Sequence, residues 1–339
     1  MKKGIMVFAL FLLVFSSPGL CAEAGSAVTI TGAVRSPLEI SMSSLETLSA
    51  SEVQLNDVVE DGKFNGVFEF RGAPLMDLLD LARVEKKEAD FKKPIDLAIL
   101  VRNNAGQMVT LSWGEVFFRN KEEIILATSA KPVFPKKGID HFENKDEYHQ
   151  MIQTLNRTIS FPRLIVRSDF YTDRSIEGVT AIEVYDLRPD VPGNKSPNPY
   201  SEDFVVNGSV MKPYTTDRFD KPSLRKIRAH IVGEGRGYHG THDLRGVSLK
   251  ELIMASQPNL NLNTVLLVSA SDAYRSLLSY GEVFLNPHSD RILVASERDG
   301  KPIKENGKFI MVLPDDLLAD REVKAVRRIE VISLEELNR

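Results

Sequence analysis

Apolar residues recur along this chain in two rhythms. The runs 97–101 and 265–268 are continuously apolar and read as buried strands. Ile182-Glu183-Val184 and Ile329-Glu330-Val331 alternate, as half-buried strands do. Between such runs lie stretches with helical spacing: Leu75, Leu78, Leu79 and Ala82, and later Leu249, Leu252 and Ile253. Ser112-x-x-Glu115 and Ser279-x-x-Glu282 read as capping boxes, in which the serine accepts from the N3 amide and the glutamate reaches back. Many strands with few short helices predict an α+β fold of mixed sheets.

The elements come in pairs. Ile30-Thr31-Gly32-Ala33-Val34 before Pro37 matches Val206-Asn207-Gly208-Ser209-Val210 before Pro213. The stretch from Phe64 through Arg71-Gly72 to Leu75 matches that from Tyr238 through Arg245-Gly246 to Leu249. The two capping boxes match, and so do the two closing strands. The offsets of 176, 174, 167 and 147 shrink stepwise, as indels between homologous copies make them. Residues 25–187 and 204–339 therefore read as tandem copies of one domain, and Arg71-Gly72 and Arg245-Gly246 as tight turns before a short helix. Residues 188–203, rich in proline, read as the linker, with the boundary near residue 195. A charged insertion, 136–160, belongs to the first copy alone. Tyr148, Met151, Ile152 and Leu155 within it are spaced as one helix face.

The N-terminus changes the picture of where the chain works. Lys2 and Lys3 precede an apolar run over residues 5–15, and Ala22-Glu23-Ala24 fits a leader-peptidase site. Residues 1–24 read as a cleaved signal peptide, too short in its apolar run to span a bilayer. The expected location is periplasmic or secreted, with no membrane span in the mature chain. Cys21, the single cysteine, leaves with the signal, which excludes disulfides, thiolate metal sites and cysteine nucleophiles. The formal net charge of −4 is not that of a nucleic-acid binder.

The motif Arg245-Gly246-Val247-Ser248-Leu249 resembles that of the oxidoreductase molybdopterin-binding domain family, the sulfite-oxidase fold. The later segment Leu293-Val294-Ala295, Asp299-Gly300-Lys301-Pro302-Ile303 and Gly307 is similar to that family too. So is the closing Arg328-Ile329-Glu330-Val331. The resemblance covers 204–335 and, more loosely, 28–186. It implies two tandem copies of a sulfite-oxidase-like fold and molybdopterin as a cofactor. In that family a cysteine thiolate ahead of the motif binds molybdenum. The corresponding stretches, 53–61 and 229–237, hold no cysteine, and sulfite-oxidase-type catalysis is not expected.

Charge separates the copies at the equivalent place. Residues 45–71 carry six acidic residues against Lys63 and Arg71, whereas 219–245 carry Lys221, Arg225, Lys226, Arg228, Arg236 and Arg245 against Asp220, Glu234 and Asp243. The second copy is thus the better anion site, with His230, Arg236, His239 and Arg245 as candidate ligand-binding residues and Gly233, Gly235 and Gly237 freeing backbone amides. His239-x-x-His242 with Asp243 forms a candidate transition-metal set. Trp113 and Tyr280 read as core, and Tyr171 and Tyr274 as pocket aromatics. No nucleophile elbow, phosphate-binding loop or dinucleotide fingerprint occurs, and no catalytic residue is assigned. The leading expectation is an exported protein that binds a small anionic ligand or a periplasmic protein partner without molybdenum–thiolate chemistry. The alternatives are a redox enzyme with a pterin or a His-bound metal, and a scaffold that docks through the insertion.

Overall fold

The structure is a computed structural model that describes residues 27–191, 199–220, 223–233, 235, 237–305 and 307–335. The segment expected to be a signal peptide, the expected linker centre near residue 195, Lys221 and Arg236 lie outside the described residues. The fold is α+β. No helix among the described residues is long and apolar enough to cross a membrane.

The first half holds β1 (Ala27–Gly32), β2 (Leu38–Ser41), β3 (Ser51–Val58), β4 (Phe64–Pro74), β5 (Leu97–Asn103), β6 (Met108–Ser112), β7 (Ile124–Pro132), β8 (Arg163–Val166) and β9 (Val179–Asp186). Its helices are α1 (Met42–Thr47), α2 (Leu75–Ala82), α3 (Trp113–Phe117) and α4 (Lys145–Leu155). The strands form two sheets, ordered β2-β1-β9-β5-β6 and β3-β4-β7-β8. Strands β5 and β6 are buried along almost their whole length, which is why residues 97–101 of β5 are continuously apolar.

The second half holds β10 (Phe204–Gly208), β11 (Tyr214–Thr216), β12 (Arg225–Gly233), β13 (Gly237–Ser248), β14 (Thr264–Ala270), β15 (Arg275–Ser279), β16 (Leu293–Arg298), β17 (Lys301–Pro302), β18 (Ile310–Val312), β19 (Val323–Lys324) and β20 (Val326–Ser333), with α5 (Leu249–Ala255). The orders are β11-β10-β20-β14-β15 and β12-β13-β16-β18-β19, with β17 on β16. Each half thus opens with a strand that pairs parallel to its last strand, β1 with β9 and β10 with β20.

Arg71-Gly72 and Arg245-Gly246 are not tight turns. Both lie inside long strands, at bulges in the β4–β7 and β13–β16 ladders. A Cβ on Gly72 would meet the Leu126 carbonyl oxygen at 2.1 Å, and one on Gly246 would meet that of Val294 at 2.1 Å. The neighbouring strand passes too close for any side chain, so glycine serves approach here rather than reversal.

The halves are joined by buried polar groups as well as apolar ones. Ala98, Leu100 and Met108 pack with Val265, Leu277 and Leu334. Arg174, wholly buried, donates to Asp169 (2.7 Å), Glu115 (3.0 Å) and, across the junction, Ser279 (3.0 Å). Arg321, also wholly buried, donates to Asp316 (2.7 Å) and to Ser112 of the other half (3.2 Å), and lies 2.8 Å from Glu282. The capping-box bonds of Ser112 with Glu115, and of Ser279 with Glu282, are both present. The second box opens a π-helical turn, Gly281–Leu285. A further network seats Arg275 on Glu88 (2.6 Å) and Asp96 (2.7 Å), with Lys86 on Asp96. Trp113 and Tyr280 are half-buried; Trp113 packs against the core of the first half and stacks on Phe117, while Tyr280 stacks on Phe284.

Candidate functional site

In an antiparallel pair, directly opposed residues share a face. On β12 and β13, Ala229 opposes His242 and Ile227 opposes Leu244; on β16, Arg298 opposes Leu244. His242 and Arg298 therefore project to the same side as the buried Ala229 and Leu244. Arg228 opposes Asp243, His230 opposes Thr241 and Lys226 opposes Arg245, so these six project to the other side.

The inner side opens into a cavity of about 570 Å³. His239, His242 and Arg298 form one wall, and Tyr274 stands on the turn between β14 and β15. Glu322 lies just before β19 and Lys324 within it. The Tyr274 hydroxyl donates to the Asp320 carbonyl (2.5 Å), and Lys93 of the first half reaches the Asp320 carboxylate (2.9 Å). The first half thus braces the cavity rim.

His242 is held at both ends. Its Nδ1 lies 2.7 Å from Asp299, and its Nε2 lies 3.3 Å from the His239 carbonyl. Asp299 also accepts from the Asp243 amide (2.9 Å). Asp299 and Gly300 have φ of +51° and +74°, the positive pair that a two-residue hairpin turn between β16 and β17 needs. A hydrogen bond from His242, with the Asp243 amide, holds the Asp299 carboxyl below its ordinary range. Burial pushes Glu322 up to about 7, against the nearby Arg298 and Lys324 and with the charges of Asp316 and Asp320. Arg298 is half-buried, and its Nε is buried with no hydrogen-bond partner among the described residues.

The sequence candidates are divided by this geometry. His239 and His242 reach the cavity, and so does Tyr274; Tyr171 lines a separate surface pocket beside Phe284. His230 and Arg245 lie on the opposite face, His230 beside Thr241 (2.7 Å) and Arg245 beside Glu297 (3.3 Å). Arg236 is outside the described residues. The proposed metal set is not brought together. Asp243 points away from His242 and is occupied by Lys226 (2.8 Å) and Arg228 (2.9 Å), which hold its carboxyl below the ordinary range. Among the described residues no three His, Cys, Asp or Glu side chains gather as a metal site.

The basic face is also largely self-neutralised. Arg225 pairs with Glu251 and Asp290, and Arg228 and Lys226 with Asp243. Arg298 and Lys324, which make no ion pair among the described residues, lie on the cavity side. Sequence reasoning missed both, along with Glu322, because charge was counted along 219–245 and these residues arrive from later strands. The stretches at which the resemblance places a metal-binding thiolate are β3 and β12 with the turns that follow them, and neither contains sulfur. The donors present do not fit a molybdenum–thiolate centre.

The first half treats the equivalent place differently. Leu55 opposes Phe68 where Ala229 opposes His242. Leu55 and Phe68 are buried in an apolar cluster, and Arg157, just after α4, lies over the Phe68 ring. Arg157 and Arg163 converge on the buried Asp57 (2.9 and 2.8 Å), which Thr172 also bonds (2.7 Å). The insertion helix α4 packs on β4 and buries Leu155. Larger side chains and the insertion thus fill in the first half what stands open in the second.

No protein-family model matches the sequence, and no curated protein matches it. Among solved structures, the chain is similar to the sulfane dehydrogenase SoxCD from Paracoccus pantotrophus. The identity is 14% and the TM-score 0.32, over 89% of this chain and 77% of that one. That level of likeness assigns neither family nor activity.

Proposed function

We propose that this is an exported protein of two diverged copies of one α+β unit, whose second copy binds a small organic anion in the cavity beside His239 and His242. The two-copy reading is supported by the shared strand orders and by the bulges at Arg71/Gly72 and Arg245/Gly246. Export is supported by the sequence of residues 1–24.

Anion binding is carried by one observation, the buried and unpartnered Nε of Arg298 on the cavity wall. A buried donor without an acceptor is costly, and a carboxylate or other oxyanion that enters the cavity relieves that cost. A guanidinium offers such a group two parallel donors. Lys324 adds charge, while Tyr274, Ile231 and Pro199 give the ligand's body apolar and aromatic contact. The ligand class is therefore an organic monoanion with a small ring or short chain, rather than a bare inorganic ion. His242, oriented by Asp299, is placed to hydrogen-bond it.

The test is ligand-observed NMR and calorimetric titration of the mature protein with benzoate and short aliphatic carboxylates. Arg298→Gln is expected to weaken binding about tenfold or more, about 1.4 kcal/mol. Equal binding by the variant and the wild type would refute the assignment.

A further inference from the structure

The junction of the halves carries a second opening, lined by residues different from those of the cavity just described. Its frame is reciprocal. The Phe170 amide donates to the Leu285 carbonyl (2.9 Å), and the Leu317 amide donates to the Phe118 carbonyl (2.8 Å). By the offsets of the repeated blocks, Phe118 corresponds to Leu285 and Phe170 to Leu317. The two backbone bonds are therefore the same contact made once by each half. Between them lies a cleft of about 410 Å³.

The cleft breaks the reciprocity in its charge. Arg119 of the first half stands where the second half has Asn286, and Arg167 where the second half has Pro314. Both arginines line the cleft, opposite Asn286 and His288. Neither guanidinium makes a hydrogen bond among the described residues. The nearest carboxylate to Arg119 is Asp316 at 3.9 Å, and Asp316 already receives two bonds of 2.7 Å from Arg321. The Arg119 Nε is buried and unpartnered, and its side chain is only 12% exposed. Of the two lining acids, Asp315 is paired with Arg291 (2.8 Å), which leaves Glu123 at the rim.

Two guanidiniums that share one cleft repel each other; Arg119 has only the distant, already bonded Asp316 to answer it, and Arg167 makes no ion pair among the described residues. We propose that this cleft is a second binding site, for a compact polyanion such as a phosphate or polycarboxylate bridging Arg119 and Arg167. Bidentate geometry at each arginine suits oxygens on two faces of one small ligand. Asn286 supplies neutral hydrogen bonding from the other half, so the occupant links the halves. This site is independent of the organic-anion cavity and stands or falls without it.

The experiment is calorimetric titration of the full mature protein with citrate and with inorganic phosphate at low ionic strength. Arg167 is exposed, so Arg167→Gln keeps the fold; Arg119→Gln is the companion variant. Citrate is expected to bind with one-to-one stoichiometry and to lose about tenfold in affinity in each variant, with benzoate binding in the other cavity retained. Absence of binding by both anions to the wild type would overturn the inference. So would wild-type affinity in Arg167→Gln, or a loss of citrate affinity caused by Arg298→Gln instead.

Discussion

Arg174 and Arg321 lock the halves by exchange: Arg174 of the first half occupies the space over Gly281 of the second, and Arg321 of the second the space over Gly114 of the first. A Cβ on Gly281 would lie 1.9 Å from the Arg174 guanidinium carbon, and one on Gly114 would lie 2.2 Å from the Arg321 Cδ. Each glycine lies two residues after the serine of a capping box, so the box that starts a short helical turn also receives the partner half's arginine. The exchange is electrostatically uneven. Burial raises Glu115, and the Glu282 charge adds to it, because Arg174 alone answers them. Burial would raise Glu282 too, but Arg321 and then Arg119 outweigh it and hold that carboxyl low.

Arg321→Met is expected to destabilise the protein by roughly 3–5 kcal/mol, since it strands two buried carboxylates, Asp316 and Glu282. Gly114→Ala, which removes no charge, should also destabilise, because the guanidinium must move. Urea unfolding of both variants checks this. A loss below about 1 kcal/mol in Arg321→Met would mean the lock contributes little.

Asp57 anchors the insertion to the first sheet. Burial alone would raise its carboxyl, but the Arg163 bond and charge, with Thr172 and Arg157, hold it below the ordinary 3.8. A lowered folded value means the stabilisation is present above about 3.8 and is lost as pH falls through the folded value. Asp57→Asn should therefore cost most at neutral pH, and its difference from wild type should shrink in acid. A difference independent of pH would assign the effect to packing.

Glu322 behaves in the opposite sense. Its folded value of about 7 exceeds the ordinary 4.5, so between these the folded chain holds a proton that the unfolded chain has lost. Stability should fall as pH rises across that window, and Glu322→Gln should remove this share of the slope. Benzoate affinity should fall through the same range, as the carboxylate forms and competes for Arg298 and Lys324. Unchanged pH profiles in Glu322→Gln would contradict this.

Local pattern carried much of the fold. The apolar runs gave β5 and β14, the alternating stretches gave β9 and β20, and the Ser-x-x-Glu spacing gave both capping boxes. These depend on neighbours within a few residues. What escaped is what pairs across distance. Arg174 finds Ser279 over 105 residues, and Arg321 finds Ser112 over 209. A signal did exist: Asp169 and Arg174 recur as Asp316 and Arg321 at the same offset of 147 as the closing strands. At the candidate site, two histidines were legible because they lacked counterparts in the other copy. Asp243 was misplaced because its side of β13 depends on strand register, which residue spacing alone does not give.

The most direct test of the central claim is to refill the cavity as the first half does. His242→Phe restores the residue found at Phe68, and calorimetric titration with benzoate reads the outcome. Loss of benzoate binding, with citrate binding at the Arg119–Arg167 cleft and thermal stability both retained, is the predicted result. Benzoate binding of wild-type strength in His242→Phe would contradict the claim that the open cavity beside His239 and His242 is the ligand site.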